Sequence, residues 1–118
     1  MLRAILMDQS PAPRVQQIAA ADVKAMMDRG ETFELIDVRT EQERAVASIE
    51  GSELLDDAVH ERLLALDRDT TMVFQCHHGM RSQAAAEYFL RVGFRNVHNL
   101  IGGIDAWSTE VDPSVPRY

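Results

Sequence analysis

The residues best suited to chemistry lie in the segment Met72-Val-Phe-Gln-Cys-His-His-Gly-Met-Arg-Ser-Gln83. It reads as a buried strand that runs out at Gln75, a loop from Cys76 to Arg81, and a helix that begins near Ser82. A thiol held at a strand end, with a tight loop feeding a helix behind it, faces several backbone N–H groups and the positive end of a helix dipole. Arg81 adds a full positive charge, and Gly79 gives the loop either backbone freedom or room for a bound anion. Such surroundings stabilise a thiolate and bring a cysteine pKa to about 3.5–7.5. A lone cysteine is more often a small buried apolar residue. A core cysteine, however, needs neither the loop nor the arginine, so Cys76 is read as a nucleophile.

The neighbouring residues divide between structural and chemical roles in the same way. His77 and His78 beside Cys76 invite a metal, but three consecutive residues do not converge easily on one tetrahedral ion and the usual ligand spacings are absent. His60 and His98 are distant in sequence and read as surface or edge residues. No metal and no cofactor are expected. His77 and His78 more simply lend amides and partial charge to the rim of a pocket. Asp37 and Arg39, at the end of another apolar run, read first as a buried ion pair that fixes a strand end, and second as contacts to the substrate or the loop. Gly102 and Gly103 read as a tight entry to a helix, since a bare glycine pair is weak evidence for a phosphate site. Trp107 reads as core or lid.

The elements that must position these groups alternate between strand and helix. Val15 to Ile18 suits a short strand. Residues 20–29 put Val23, Met26 and Met27 on one helical face, and Gly30 caps it. Phe33 to Val38 is a nearly continuous apolar run, hence a buried strand. Glu41 to Val46 suits a short helix. Ala58 to Leu66 places Val59, Leu63 and Leu66 on one face. Thr71 to Phe74 is a second buried strand, and Ser82 to Val92 is a helix closed by Gly93. Val97 to Leu100 is a short strand, with a brief helix over Ile104 to Trp107 and an extended tail carrying Pro113 and Pro116. Apolar strands alternating with amphipathic helices imply an α/β fold with a central parallel sheet covered on both faces. A ligand then sits beyond the carboxyl ends of the strands. Phe33–Val38 and Thr71–Phe74 are expected to be neighbouring central strands, with Asp37 and Cys76 at the same edge. Residues 1–14, broken by Asp8, Ser10, Pro11 and Pro13, read as a loose leader, and 15–118 as one domain.

The bulk numbers agree and exclude. The 118 residues suit one domain, and 46% hydrophobic residues can fill one core. A net charge of −7 argues against a nucleic-acid partner and against an anionic membrane surface. It also means that a site for a small anion must be built locally. One cysteine rules out an intramolecular disulfide and suits a reducing compartment. The apolar run at Met1–Asp8 is too short for a signal peptide or a span, so the expected location is cytoplasmic.

Three segments carry a family resemblance. Cys76-His-His-Gly-Met-Arg-Ser82 resembles the active-site loop of the rhodanese family. Leu35-Ile-Asp-Val-Arg39 resembles that family's strand ending in Asp-Val-Arg, and Asn99-Leu-Ile-Gly-Gly-Ile-Asp-Ala-Trp107 its closing Gly-Gly-helix-Trp motif. They stand in the expected order and cover residues 15–108. The resemblance implies a rhodanese-like fold with a five-stranded parallel sheet. It also implies a sulfurtransferase of the thiosulfate type that carries sulfane sulfur as a persulfide on Cys76. The donor would be thiosulfate or a persulfide, and the acceptor a thiol or, in the assay, cyanide. His77, His78, Gly79, Met80, Arg81 and Ser82 would cradle the substrate, with Arg81 gripping an anionic donor. The tail Asp112-Pro-Ser-Val-Pro-Arg-Tyr118 resembles the ends of single rhodanese domains, some of them fused to glutaredoxin-like or adenylyltransferase-like modules. That admits a glutaredoxin-like or sulfur-carrier protein as a partner. One stretch departs from the family: Glu43, Ile49 and Gly51 match its pattern, while Ala47, Ser48 and Ser52 stand where Gly, His and Ala are usual, and local repacking is expected there.

Two other functions compete. A cysteine-based phosphatase or arsenate reductase places one more residue between its Cys and Arg than the four found between Cys76 and Arg81. The shorter loop makes a smaller cradle, which suits one sulfur atom better than a tetrahedral oxyanion. A non-catalytic rhodanese-fold binding or regulatory module is the other rival, and the presence of Cys76 with its Gly and Arg argues against it.

Overall fold

The computed structural model describes residues 12–118, so most of the expected leader lies outside the described residues. Residues 12–15 carry no regular structure. Strands and helices then alternate strictly: β1 (Gln16–Ile18), α1 (Ala20–Asp28), β2 (Glu34–Asp37), α2 (Glu41–Val46), β3 (Glu53–Leu54), α3 (Asp57–Leu64), β4 (Met72–Gln75), α4 (Met80–Arg91), β5 (Val97–Leu100) and α5 (Gly103–Glu110). The five strands form one parallel sheet, as expected, and their order is β1-β5-β4-β2-β3. β4 is the middle strand, and its four residues are all buried.

Alternation along the strands divides the core in two. Leu35, Val73 and Leu100 meet Ala20 and Val23 of α1 and Ile104 and Trp107 of α5 on one face. Ile36, Met72, Phe74 and Val97 meet Leu63 of α3 and Ala86 and Phe89 of α4 on the other. A parallel sheet covered on both faces is why the strands read as continuous apolar runs. Trp107 is therefore core and not a lid, at 5% exposure.

The central pair sets the site. β2 and β4 are parallel neighbours, with Asp37 opposite Gln75. The Val38 N–H donates to the Gln75 carbonyl, so Cys76 leaves the sheet beside the end of β2. α2 is closed at its start by a capping box, in which Thr40 and Glu43 bond each other's backbone N–H groups. Most boundaries shift by one or two residues from the sequence reading, and the larger differences are that β3 has no counterpart in it, α4 begins at Met80 and not near Ser82, and α5 runs on to Glu110. Among the described residues no helix is long and apolar enough to cross a membrane.

Candidate active site

Cys76 is 1% exposed and sits at the foot of the loop. Its Sγ accepts the Gly79 N–H at 3.1 Å and the Ser82 N–H at 3.4 Å, and lies 3.3 Å from the Ser82 hydroxyl. Gly79 can aim its N–H inward because it takes φ +106°, a left-handed value that costs other residues dearly. It also serves as the N-cap of α4, so Met80 and Arg81 belong to the first helical turn. Burial pushes the Cys76 thiol pKa up, but the Ser82 hydroxyl and the N–H groups of Ser82, Gly79 and Arg81 outweigh it. The net shift is downward, toward the thiolate.

Ser82 has one proton and two claimants. Its hydroxyl donates to Asn99 Oδ1 at 2.6 Å. Asn99 is held in that orientation because its Nδ2 donates to Gln17 Oε1 and to the Gly79 carbonyl. When Cys76 ionises, a charge-assisted bond to Sγ becomes the stronger of the two and draws the proton over. Ser82→Ala removes that donor. The acid limb of the pH–rate profile is expected to move up in the mutant, because the thiolate then forms only at higher pH. A limb that stays in place removes Ser82 from thiolate stabilisation. The midpoint, unlike the rate, does not depend on how much mutant is folded.

The loop is pinned from the other side by α5. Ile104 N–H donates to the Cys76 carbonyl at 2.8 Å and Asp105 N–H to the His77 carbonyl at 3.2 Å. Gly103 makes this approach possible, since a Cβ there would lie 2.3 Å from the Cys76 carbonyl oxygen and 2.5 Å from that of His77. The glycine pair is thus a tight helix entry that also carries the loop.

Above the cysteine the side chains form a stack. His77 lies between His78, with centroids 3.9 Å apart, and Tyr118, 4.0 Å away and nearly parallel. His77 Nε2 is buried without a hydrogen-bond partner. His78 is exposed, and Met80 stands out in solvent at 85% exposure. Ligating atoms of His77, His78 and Asp105 come within 4.8 Å of one another. Asp105 is paired with Arg117 at 2.8 Å.

Arg81 is paired with a side chain from α2. Its guanidinium makes a two-pronged pair with Glu43, at 2.6 and 2.9 Å. Glu43 Oε2 also accepts the Tyr118 hydroxyl at 2.7 Å. Arg81 first, then Tyr118 and Thr40, hold the Glu43 carboxyl well below the usual carboxylate range against the opposing effect of burial. The Tyr118 oxygen in turn accepts Arg39 Nη1 at 3.0 Å.

Asp37 and Arg39 are a structural pair, both side chains fully buried. Arg39 Nε and Nη2 grip the two Asp37 oxygens at 2.9 and 2.8 Å, and Nη2 also donates to the Ala47 carbonyl. Arg44 bonds Asp37 Oδ2 and reaches the Ser52 hydroxyl and carbonyl. These contacts lie in the stretch where repacking is expected. Ser52 is buried and its hydroxyl joins Arg44 to the Ile49 carbonyl.

The structure brings Cys76, Gly79 and Ser82 together, as the sequence reading expected of the loop. That reading did not pair Glu43 with Arg81, and it quoted Asn99 and Tyr118 within motifs without giving either a role at the site. Comparisons with known proteins give the chain its relatives. A family model described as the rhodanese-like domain matches residues 19–110. Thiosulfate sulfurtransferase GlpE of Pseudomonas aeruginosa is 38% identical over 93 residues, which is 78% of this chain and 83% of its own length. A probable adenylyltransferase/sulfurtransferase MoeZ of Mycobacterium tuberculosis is 31% identical over 94% of this chain and 29% of its own length. The crystal structure of a rhodanese-related protein from Thermoplasma volcanium, 31% identical, superposes with a TM-score of 0.68 over 87% of this chain and 99% of that one.

Proposed function

The chain belongs to the rhodanese-like domain family, and from that premise we propose that it is a sulfurtransferase working through a persulfide on Cys76. The observation that carries the reading is the environment of Sγ: a thiol at the end of the central strand, with its pKa lowered and backbone N–H groups aimed at the sulfur itself.

The cycle has two displacements. The Cys76 thiolate attacks the outer sulfur of thiosulfate, the S–S bond of the donor breaks, and sulfite leaves with the bonding pair. Cys76 is then a persulfide anion. A thiophilic acceptor attacks its outer sulfur, the new S–S bond breaks, and the thiolate returns; with cyanide the product is thiocyanate. No proton or electron is needed from elsewhere. The Gly79 and Ser82 N–H groups hold negative charge at the sulfur through both steps, which is preorganised electrostatic catalysis by covalent means. Both N–H groups converge on Sγ itself, and only four residues separate Cys76 from Arg81, one fewer than a cysteine-based phosphatase loop carries, which favours sulfur transfer over phosphate chemistry.

Intact mass spectrometry tests this directly. Incubation with thiosulfate and no acceptor is expected to add one sulfur atom per chain and release one sulfite. Cyanide should then remove the sulfur as thiocyanate. A chain that gains no sulfur from thiosulfate or from an alkyl persulfide, or that hydrolyses a phosphate ester, refutes the assignment.

A further inference from the structure

Arg81 is the only cation of the loop whose charge is assured at neutral pH, and it is already occupied. Its two-pronged partner, Glu43, is held in place from three directions: by Arg81, by Thr40 through the capping box, and by the Tyr118 hydroxyl at 2.7 Å. Tyr118 is itself fixed, stacked on His77 of the loop and bonded to the buried Arg39. A carboxylate so anchored is a built-in anion for Arg81.

We propose that Glu43, oriented by Tyr118, is a specificity-determining counter-ion that occupies Arg81 and turns the site away from dianionic donors toward alkyl persulfides. This deepens the persulfide reading and rests on it. The two donors differ in what they ask of a cation. Thiosulfate arrives with two negative charges and leaves as dianionic sulfite, so its transition state gains most from a free guanidinium. An alkyl persulfide with an uncharged body delivers the same sulfur: Cys76 thiolate attacks the outer sulfur of RS–SH, the S–S bond breaks, and a singly charged RS⁻ leaves. Its leaving group needs less from Arg81. Thiosulfate must compete with a bound carboxylate for Arg81 on a body already carrying a net charge of −7. Glu43 and Tyr118 act through Arg81 and are positioning residues.

The test compares kcat/KM for thiosulfate and for freshly generated 2-mercaptoethanol persulfide, with cyanide as acceptor, at about 0.15 M ionic strength, where exposed charges beyond roughly 8 Å are screened. Glu43→Gln keeps the capping box, because a glutamine oxygen also accepts the Thr40 N–H, and it frees Arg81. The ratio of thiosulfate to persulfide efficiency is expected to rise about tenfold. The half-exposed position of Arg81 is why the gain is no larger. Tyr118→Phe should move the ratio the same way by less. In an Arg81→Ala background Glu43→Gln should recover only a small part of its gain, since the guanidinium it frees is gone. An unchanged ratio in Glu43→Gln and Tyr118→Phe overturns the proposal. An equal gain with and without Arg81 also overturns it, because Glu43 would then act only as a nearby charge. A wild-type chain that gains no sulfur from either donor is the different failure, that of the persulfide reading itself.

Discussion

Cys76→Ser is expected to abolish sulfur transfer while leaving the fold in place. The loss in thiocyanate formation should be at least three orders of magnitude, roughly what removal of a nucleophile costs in covalent catalysis. Serine is close to cysteine in size, and its oxygen can still accept the Gly79 and Ser82 N–H groups that now serve Sγ. Stability should therefore change by no more than about 1–2 kcal/mol. What disappears is the soft, ionisable sulfur, since a serine hydroxyl beside the same donors stays protonated. Thiocyanate assay, intact mass and thermal melts on the two proteins decide the point. A folded mutant that still turns over would sink the mechanism, because no second cysteine exists to take the role.

The second large effect is structural. Arg39→Ala leaves the buried Asp37 carboxylate with the backbone N–H of residue 39 and, as its only cation, the partly exposed Arg44. Removing one partner of a buried ion pair costs about 3–5 kcal/mol, since the remaining charge has lost its compensation. That is a large share of the total stability of a small domain, and it should lower Tm by about 10–20 °C. The Ala47 carbonyl and the Tyr118 hydroxyl lose a donor in the same step. Replacing both partners together, as in Asp37→Asn with Arg39→Met, should cost less than the sum of the two singles, because no charge is then stranded. Chemical denaturation of the four proteins measures this. A single Arg39→Ala that loses under about 1 kcal/mol would show that the pair does not hold the strand end.

How far the sequence could be read follows from the range of each interaction. β2 and β4 were legible because a doubly covered strand leaves an unbroken apolar run. α2 was legible to the residue, since Thr40 and Glu43 form a local capping signal. The Asp37–Arg39 pair lies two residues apart and was foreseen as structural. β3 was invisible because two residues, Glu53 and Leu54, are too few to show a period. The start of α4 was misplaced for an instructive reason. Ser82 looks like an N-cap, but its hydroxyl is spent on Asn99 and Sγ, and Gly79 caps the helix by backbone geometry instead. Glu43 meets Arg81 across 38 residues and Tyr118 across 75. Separations of that kind carry no local pattern, so the charge state of the site could be read only from the fold.

The burial of Cys76 also governs how the protein ages. A thiolate at the foot of a loop, 1% exposed, can be reached by a small oxidant but not by the cysteine of a second, identical molecule, whose own sulfur is equally sunk. Two such sulfurs cannot approach to the roughly 2.05 Å of a disulfide without both loops opening. Exposure to peroxide should therefore carry each chain to a sulfenic acid that a small thiol reverses, and then slowly to irreversible acids. Activity in a preparation stored without reductant should decay one molecule at a time, with no disulfide-linked dimer collecting on a non-reducing gel.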